Sequence, residues 1–368
     1  MNKPILKPEI QDPLKTGIFD CDIHPTLKSA ADIKKYLSKE WQDYFDNYGD
    51  FVRQPFSTSL GYPKATRALS RGDAWPPAGG EPGSDLGFLA EQHLDGNNIK
   101  LGVLQVLWPV GNKQRNADFA KAMCSAVNDW QVDEWISKEP RLKGSIVVPQ
   151  EDAEAAVAEI ERLGGHGGFA QILISPKSEE PLGRKRYWPI YEAAAAHNLP
   201  VTLHVGGVNG RPATGSGHPS YYAEEHQSHV QNMQALVASL IFEGVFEAFP
   251  TLRLIIVEAG LAWAPSLGWR MDVAFKRLHS EVPHLKKKPS EYLREHFWFS
   301  TQPADEPEKP QYLRDVFDWI GWDRILFASD YPHWDFDDPK YALNIKLSAT
   351  EKMQIFWQNS QEAFGGVV

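Results

Sequence analysis

The chain has 368 residues, 42% of them hydrophobic, and a formal net charge of −10. That length buries a large core and suits either two ordinary domains or one barrel with insertions. The acidic balance excludes the electrostatic footprint of a nucleic-acid or anionic-membrane binder, so a small-molecule partner is expected.

The N-terminal stretch MNKPILKPEIQDPLKTG lacks the apolar core of a signal peptide, and no stretch reaches the ~20 apolar residues that cross a bilayer. Cys21 and Cys124 are the two cysteines and have no paired spacing. A cytoplasmic protein in a reducing setting is expected.

Eight short apolar runs then recur, each ending near a polar or turn-forming residue. They are residues 17–24 (GIFDCDIH), 101–109 (LGVLQVLWP), 143–149 (KGSIVVP), 169–175 (FAQILIS), 200–205 (PVTLHV), 253–260 (RLIIVEAG), 297–301 (FWFST) and 324–332 (RILFASDYP). Helical periodicity falls between them over 115–138, 151–164, 189–198, 229–249 and 310–321, with a closing helix over 349–364. Nearly continuous apolar runs are those of parallel strands covered on both faces, and the alternation predicts a single-domain (β/α)₈ barrel over residues 1–368. Residues 25–98 are too long for a simple β/α connection and carry a Gly- and Pro-rich tract, GDAWPPAGGEPGSD. They read as an insertion over one mouth of the barrel, with a second insertion after strand five at 206–227.

In a β/α barrel the catalytic groups gather where strands end at their C-terminal side. Asp22 and His24 end the first run at i and i+2, which puts both side chains on one side of an extended backbone. His204 ends the fifth run, Glu258 the sixth and Asp330 the eighth. Taken singly, each is more often a cap or an ordinary core residue; together, in order around a barrel, they point to a site. Two imidazoles and two carboxylates from Asp22, His24, His204 and Asp330 suit one divalent ion, with zinc preferred and manganese or iron as alternates.

The segments FDCDIH (19–24), TLH (202–204), VEAG (257–260) and FASDYPHWD (327–335) resemble the amidohydrolase superfamily, specifically amidohydrolase family 2 and its branch related to aminocarboxymuconate semialdehyde decarboxylase. The resemblance covers nearly the whole chain. It implies Asp22, His24 and His204 as metal ligands, Asp330 as ligand or proton shuttle, and a homodimer. Family members carry H-x-H on strand one, where this chain has Asp22; some decarboxylases of the branch have E-x-H there, which implies one ion rather than two. The branch often has a histidine on strand six, where this chain has Glu258.

Glu258 reads as a second acid/base, as an orienter of His204, or as the ion-pair partner of Arg253 or Arg270. Trp108 and Trp334, just past strands two and eight, are expected to wall a flat substrate, with His229 and His333 reaching it; His218 and His226 are further loop histidines near the site. Trp263 lies just past strand six. Arg184 and Arg186 read as surface charges or as a carboxylate clamp. The chemistry expected first is hydrolysis through a metal-bound hydroxide, acting on a small aromatic or carboxylate-bearing substrate. The alternative is non-oxidative decarboxylation of an aromatic or enol-type acid, and the two readings share the same ligands. A third, a binding barrel without chemistry, expects no stoichiometric metal.

Overall fold

In the computed structural model, residues 12–49, 69–107, 114–206 and 212–366 are described. Eight parallel strands form one sheet in the order β1 to β8: β1 (Ile18–Ile23), β2 (Ile99–Leu104), β3 (Leu142–Val147), β4 (Phe169–Ile174), β5 (Val201–His204), β6 (Leu254–Val257), β7 (Phe297–Ser300) and β8 (Ile325–Leu326). Beyond the ladders, Cys21 N–H donates to Phe327 O and His24 N–H to Tyr331 O, so the last strand meets the first. This is the (β/α)₈ barrel expected from the apolar runs.

Side-chain alternation along the strands sorts the core into two apolar layers. On β6, Leu254 and Ile256 belong to the larger cluster that packs against the helices, and Ile255 and Val257 to the smaller one inside the barrel. Phe19, Val103, Ala170, Trp298 and Leu326 join the inner cluster, and Phe364 stacks on Phe19 at 5.2 Å, near the N-terminal end of β1. The C-terminal segment thus covers the bottom of the barrel, and the opposite mouth is left to polar side chains.

Helices fall where the 3.6-residue period placed them in most cases. Ala117–Gln131, capped by Asn116, and Ala153–Leu163, capped by Asp152, follow β2 and β3. Trp188–Ala196 and Pro310–Ile320 follow β4 and β7.

Two differences bear on the site. The helix after β5 begins at Tyr222 rather than at residue 229, so His226 and His229 lie on one helix a turn apart. Its first turn, with Glu224 and Glu225, is too polar to show apolar periodicity, but acidic residues there suit a helix N-terminus. The helix Trp263–Leu278 was not anticipated. Its start has no local cap; Asp305 supplies one, accepting from Leu261 N–H at 2.9 Å and Ala262 N–H at 2.8 Å.

Part of the long connection between β1 and β2 lies beside β8. Arg71 N–H donates to Pro332 O, Trp334 N–H donates to Leu69 O, and Ser70 bridges His333. Gly83, at φ +79°, presses on the chain after β1 so closely that a Cβ would sit 2.3 Å from the His24 carbonyl oxygen. Among the described residues, no helix is long and apolar enough to cross a membrane.

Candidate metal centre

The ends of β1, β5, β6 and β8 bring Asp22, His24, His204, Glu258 and Asp330 to one place. His24 Nε2 lies 3.1 Å from Asp22 Oδ1 and 2.9 Å from Asp330 Oδ1. His204 Nε2 lies 3.4 Å from Asp22 Oδ1 and 3.3 Å from Glu258 Oε2. Asp22 and Asp330 are fully buried, and His24, His204 and Glu258 nearly so. The backbone turns sharply at two of these positions: Glu258 has φ +60° and Asp330 φ +59°, a left-handed conformation uncommon for residues other than glycine. The turn takes each carboxylate out of the alternation of its strand.

The two imidazoles are oriented from behind. His24 Nδ1 bonds the Gln105 carbonyl oxygen at 2.9 Å, and His204 Nδ1 bonds the Val205 carbonyl oxygen at 2.7 Å. A carbonyl only accepts, so Nδ1 carries a proton in each; without an ion, burial is outweighed by Asp22, which raises the pKa of both imidazoles, and a bound cation would leave each ring neutral with its Nε2 lone pair turned towards the ion. Both Nε2 atoms and both oxygens of Asp22 are buried without a hydrogen-bond partner. Their separations are those of hydrogen bonds but their angles are not, as when several donor atoms converge on a common point. Each buried orphan costs about 1–3 kcal/mol, and a divalent cation would satisfy all of them at once. One donor atom from each of Asp22, His24 and His204 lies within 4.8 Å of the others, and the same is true of His24, Asp330 and His333. This donor set, mixed nitrogen and oxygen, fits one divalent ion.

The electrostatics show why a cation suits the mouth. Burial opposes ionisation of Asp22, but the two imidazoles outweigh it and hold the carboxyl well below the usual range. Glu258 is pushed up to about 7, first by burial and then by the Asp330 carboxylate. Burial also raises Asp330, against the pull of His24. His333 is pulled down to about 3 by burial and by His24, and as a neutral ring its Nδ1–H donates to Asp330 Oδ1 at 2.6 Å. Asp330 also accepts from Gln302 Nε2 at 3.1 Å.

The remaining expected residues scatter. Trp334 is half-exposed at the mouth, edge-on to Tyr222 and His226. His229 is buried one turn beyond His226 and is pulled down to about 3, first by burial and then by Lys177. Trp108 lies outside the described residues. Trp263 is not a wall of the site; its Nε1–H donates to Ala259 O and Gly260 O, fastening the start of its helix. Arg253 bonds Asn198 and the Ala363 carbonyl, so it is not the partner of Glu258. Arg184 and Arg186 lie in ion pairs with Glu180, Glu243 and Glu151.

Two residues at the mouth went unassigned on the sequence, and a third was misplaced. Gln302 sits just past β7, where the same strand-end rule would have found it. Asp335 falls inside the SDYPHWD motif; its Oδ2 lies 3.4 Å from His226 Nε2, and the pair groups with Glu258 within 4.8 Å. His226 stood with His218 and His229 as a candidate substrate contact but was placed on a loop, because its helix was started too late.

The protein-family model described as Amidohydrolase matches residues 19–366. The chain belongs to that family. It is 26% identical over 284 residues to a gamma-resorcylate decarboxylase from Polaromonas sp., covering 74% of this chain and 85% of that one. Among solved structures, the dihydroxybenzoic acid decarboxylase from Polaromonas sp., with bound manganese and the inhibitor 2-nitroresorcinol, aligns with a TM-score of 0.66 at 21% identity, covering 95% of this chain and 97% of that one. The 5-carboxyvanillate decarboxylase from Novosphingobium aromaticivorans, with manganese and 4-hydroxy-3-methoxy-5-nitrobenzoic acid, aligns with a TM-score of 0.70 at 19% identity over 98% and 99% of the two chains.

These relatives are enzymes, and the two solved structures hold manganese, in line with the expected metal enzyme. The preference for hydrolysis is corrected by them: the gamma-resorcylate, dihydroxybenzoic acid and 5-carboxyvanillate enzymes just described are all named decarboxylases. The acidic residue of D-x-D-x-H, similar to the E-x-H of decarboxylases in the branch, agrees with these names, although strand six carries Glu258 in place of a histidine.

Proposed function

We propose that the chain is a metal-dependent decarboxylase of a hydroxylated aromatic carboxylic acid. The observation that carries the reading is the convergence of the unpartnered donor atoms of Asp22, His24 and His204, in a chain similar to gamma-resorcylate decarboxylases. Asp22, His24, His204 and Asp330 would hold the ion. Manganese, bound in the similar decarboxylases, displaces zinc as the first candidate. When bound, the ion supplies positive charge against which an anionic substrate is held.

The protein's own groups have three tasks. The carbonyls of Gln105 and Val205 keep both imidazoles in the Nδ1–H form. Asp330 accepts from His333 and Gln302, and its remaining lone pairs would face the ion, so it is kept as a carboxylate and not as the proton carrier. Glu258, touching only His204 among the ligands, is the carboxyl group we assign to hold the proton that goes to the ring carbon. That carbon takes the proton, its bond to the carboxylate carbon breaks, the electron pair returns to the ring, and CO₂ leaves. Trp334 and His226 line the entrance for a flat ring. A homodimer in the cytoplasm belongs to the same proposal, and sedimentation velocity tests the dimer.

The test is to load purified protein with manganese and supply 2,6-dihydroxybenzoate or 5-carboxyvanillate, following CO₂ and the phenol by mass spectrometry. Equimolar CO₂ and phenol are expected. Turnover of an ester, amide or lactone panel with no CO₂ from either acid would overturn the reading.

A further inference from the structure

Asp20, two residues before Asp22, is fully buried and faces away from the metal centre into the seam between β1 and β8. Its carboxylate gathers four donors. Oδ1 accepts from Asp22 N–H at 3.1 Å and Ser329 N–H at 2.9 Å. Oδ2 accepts from Ser329 Oγ–H at 2.5 Å and from His93 Nε2 at 2.8 Å. Ser329 Oγ in turn accepts from Tyr331 N–H at 3.2 Å. The amides before and after Asp330 are thus both tied, one directly and one through Ser329, to the group that also holds the amide of Asp22. His93 is kept in place by Asn97 and by stacking on Tyr331, with ring centroids 4.6 Å apart.

We propose that Asp20 is the positioning residue of the metal centre, its one carboxylate setting the spacing between Asp22 on β1 and Asp330 after β8. The inference rests on the reading of Asp22 and Asp330 as ligands. The need for such a tie is visible in the fold. β8 is only two residues long, and the chain leaves the ladder before it reaches Asp330. Asp330 itself is in a left-handed conformation that its neighbours must hold. A carboxylate suits the task because it accepts several N–H and O–H groups at once and donates none. Groups behind a metal ligand are typically worth roughly 10–100-fold in metal affinity.

The test compares manganese affinity, read from the free-ion electron paramagnetic resonance signal, with the resonance of the bound ion. Asp20→Asn keeps the shape but puts a donor where an acceptor stood; we expect affinity to fall by roughly 10–100-fold and the bound-ion spectrum to broaden. Ser329→Ala, which keeps the carboxylate and removes one link, is expected to move both in the same direction by less, and it serves if Asp20→Asn fails to fold. Asn128→Ala, on the helix Ala117–Gln131 in a buried polar network that bonds β3, is the structural control and should lower the melting temperature with affinity and spectrum unchanged. Wild-type affinity and spectrum in folded Asp20→Asn, or in Ser329→Ala where that is the variant that folds, would overturn the positioning role while leaving the ligand assignment intact. No stoichiometric manganese in the wild type would overturn both.

Discussion

Around β3 and β4, Asn128, Gln131, Ser145 and Gln171 are as deeply buried as the side chains at the barrel mouth, yet every polar atom of theirs has a partner. Asn128 bonds Val147 N–H, Val147 O and Glu159; Gln131 bonds Ser145 N–H and Ser145 O; Gln171 donates to Ser145 Oγ and accepts from Thr202. At the mouth, Asp22, His24 and His204 are equally buried and keep four atoms without one. A satisfied buried network holds a fold together, whereas a set of converging orphans costs stability unless something else satisfies it. The difference separates a structural polar layer from a site, although both are invisible from outside.

Substitutions in the two regions should therefore fail in opposite ways. The largest effect is expected for Asp22→Asn. Decarboxylation should fall by on the order of 10³-fold or more with loss of bound metal; the metal-free protein should also lose some stability, because the two imidazoles favour the Asp22 carboxylate. Retention of stoichiometric metal in the variant would put Asp22 with the structural layer. Glu258→Gln should lower kcat by about 10²–10⁴-fold with little change in KM. Its pH dependence has a fixed sign: Glu258 donates only when protonated, its carboxyl is raised to about 7, and so kcat should fall as pH rises through that value. A rising limb there would remove Glu258 from the role of acid.

In the satisfied layer, Asn128→Ala strands Val147 N–H and Glu159 and should cost about 3 kcal/mol in urea unfolding, with kcat and KM unchanged. The smallest effect is expected at the rim. Trp334→Ala, at a half-exposed ring, should raise KM by about 3–10-fold at constant kcat, since it removes contact made equally in the ground and transition states.

The barrel was legible because each strand is a short apolar run closed by a polar residue, and that same punctuation marked Asp22, His24, His204, Glu258 and Asp330. What hid the rest was distance along the chain. The helix Trp263–Leu278 is started by Asp305, more than forty residues away, and a cap from so far leaves no local signature. Asp20 sits in the same FDCDIH string as the proposed ligands Asp22 and His24, but only the register shift between Asp20 and Ile23 reveals that it faces the other way. Metal choice and reaction were never in the strand ends, since one donor set serves hydrolysis and decarboxylation alike; similarity to other proteins moved that balance.

On the proposed reading, Asp22, His24, His204 and Asp330 share one divalent ion. A crystal soaked in manganese and measured at the manganese absorption edge addresses it directly. One anomalous peak per chain, roughly 2.0–2.3 Å from the facing atoms of these four side chains, is the result expected; a peak elsewhere, or none among them, would contradict it.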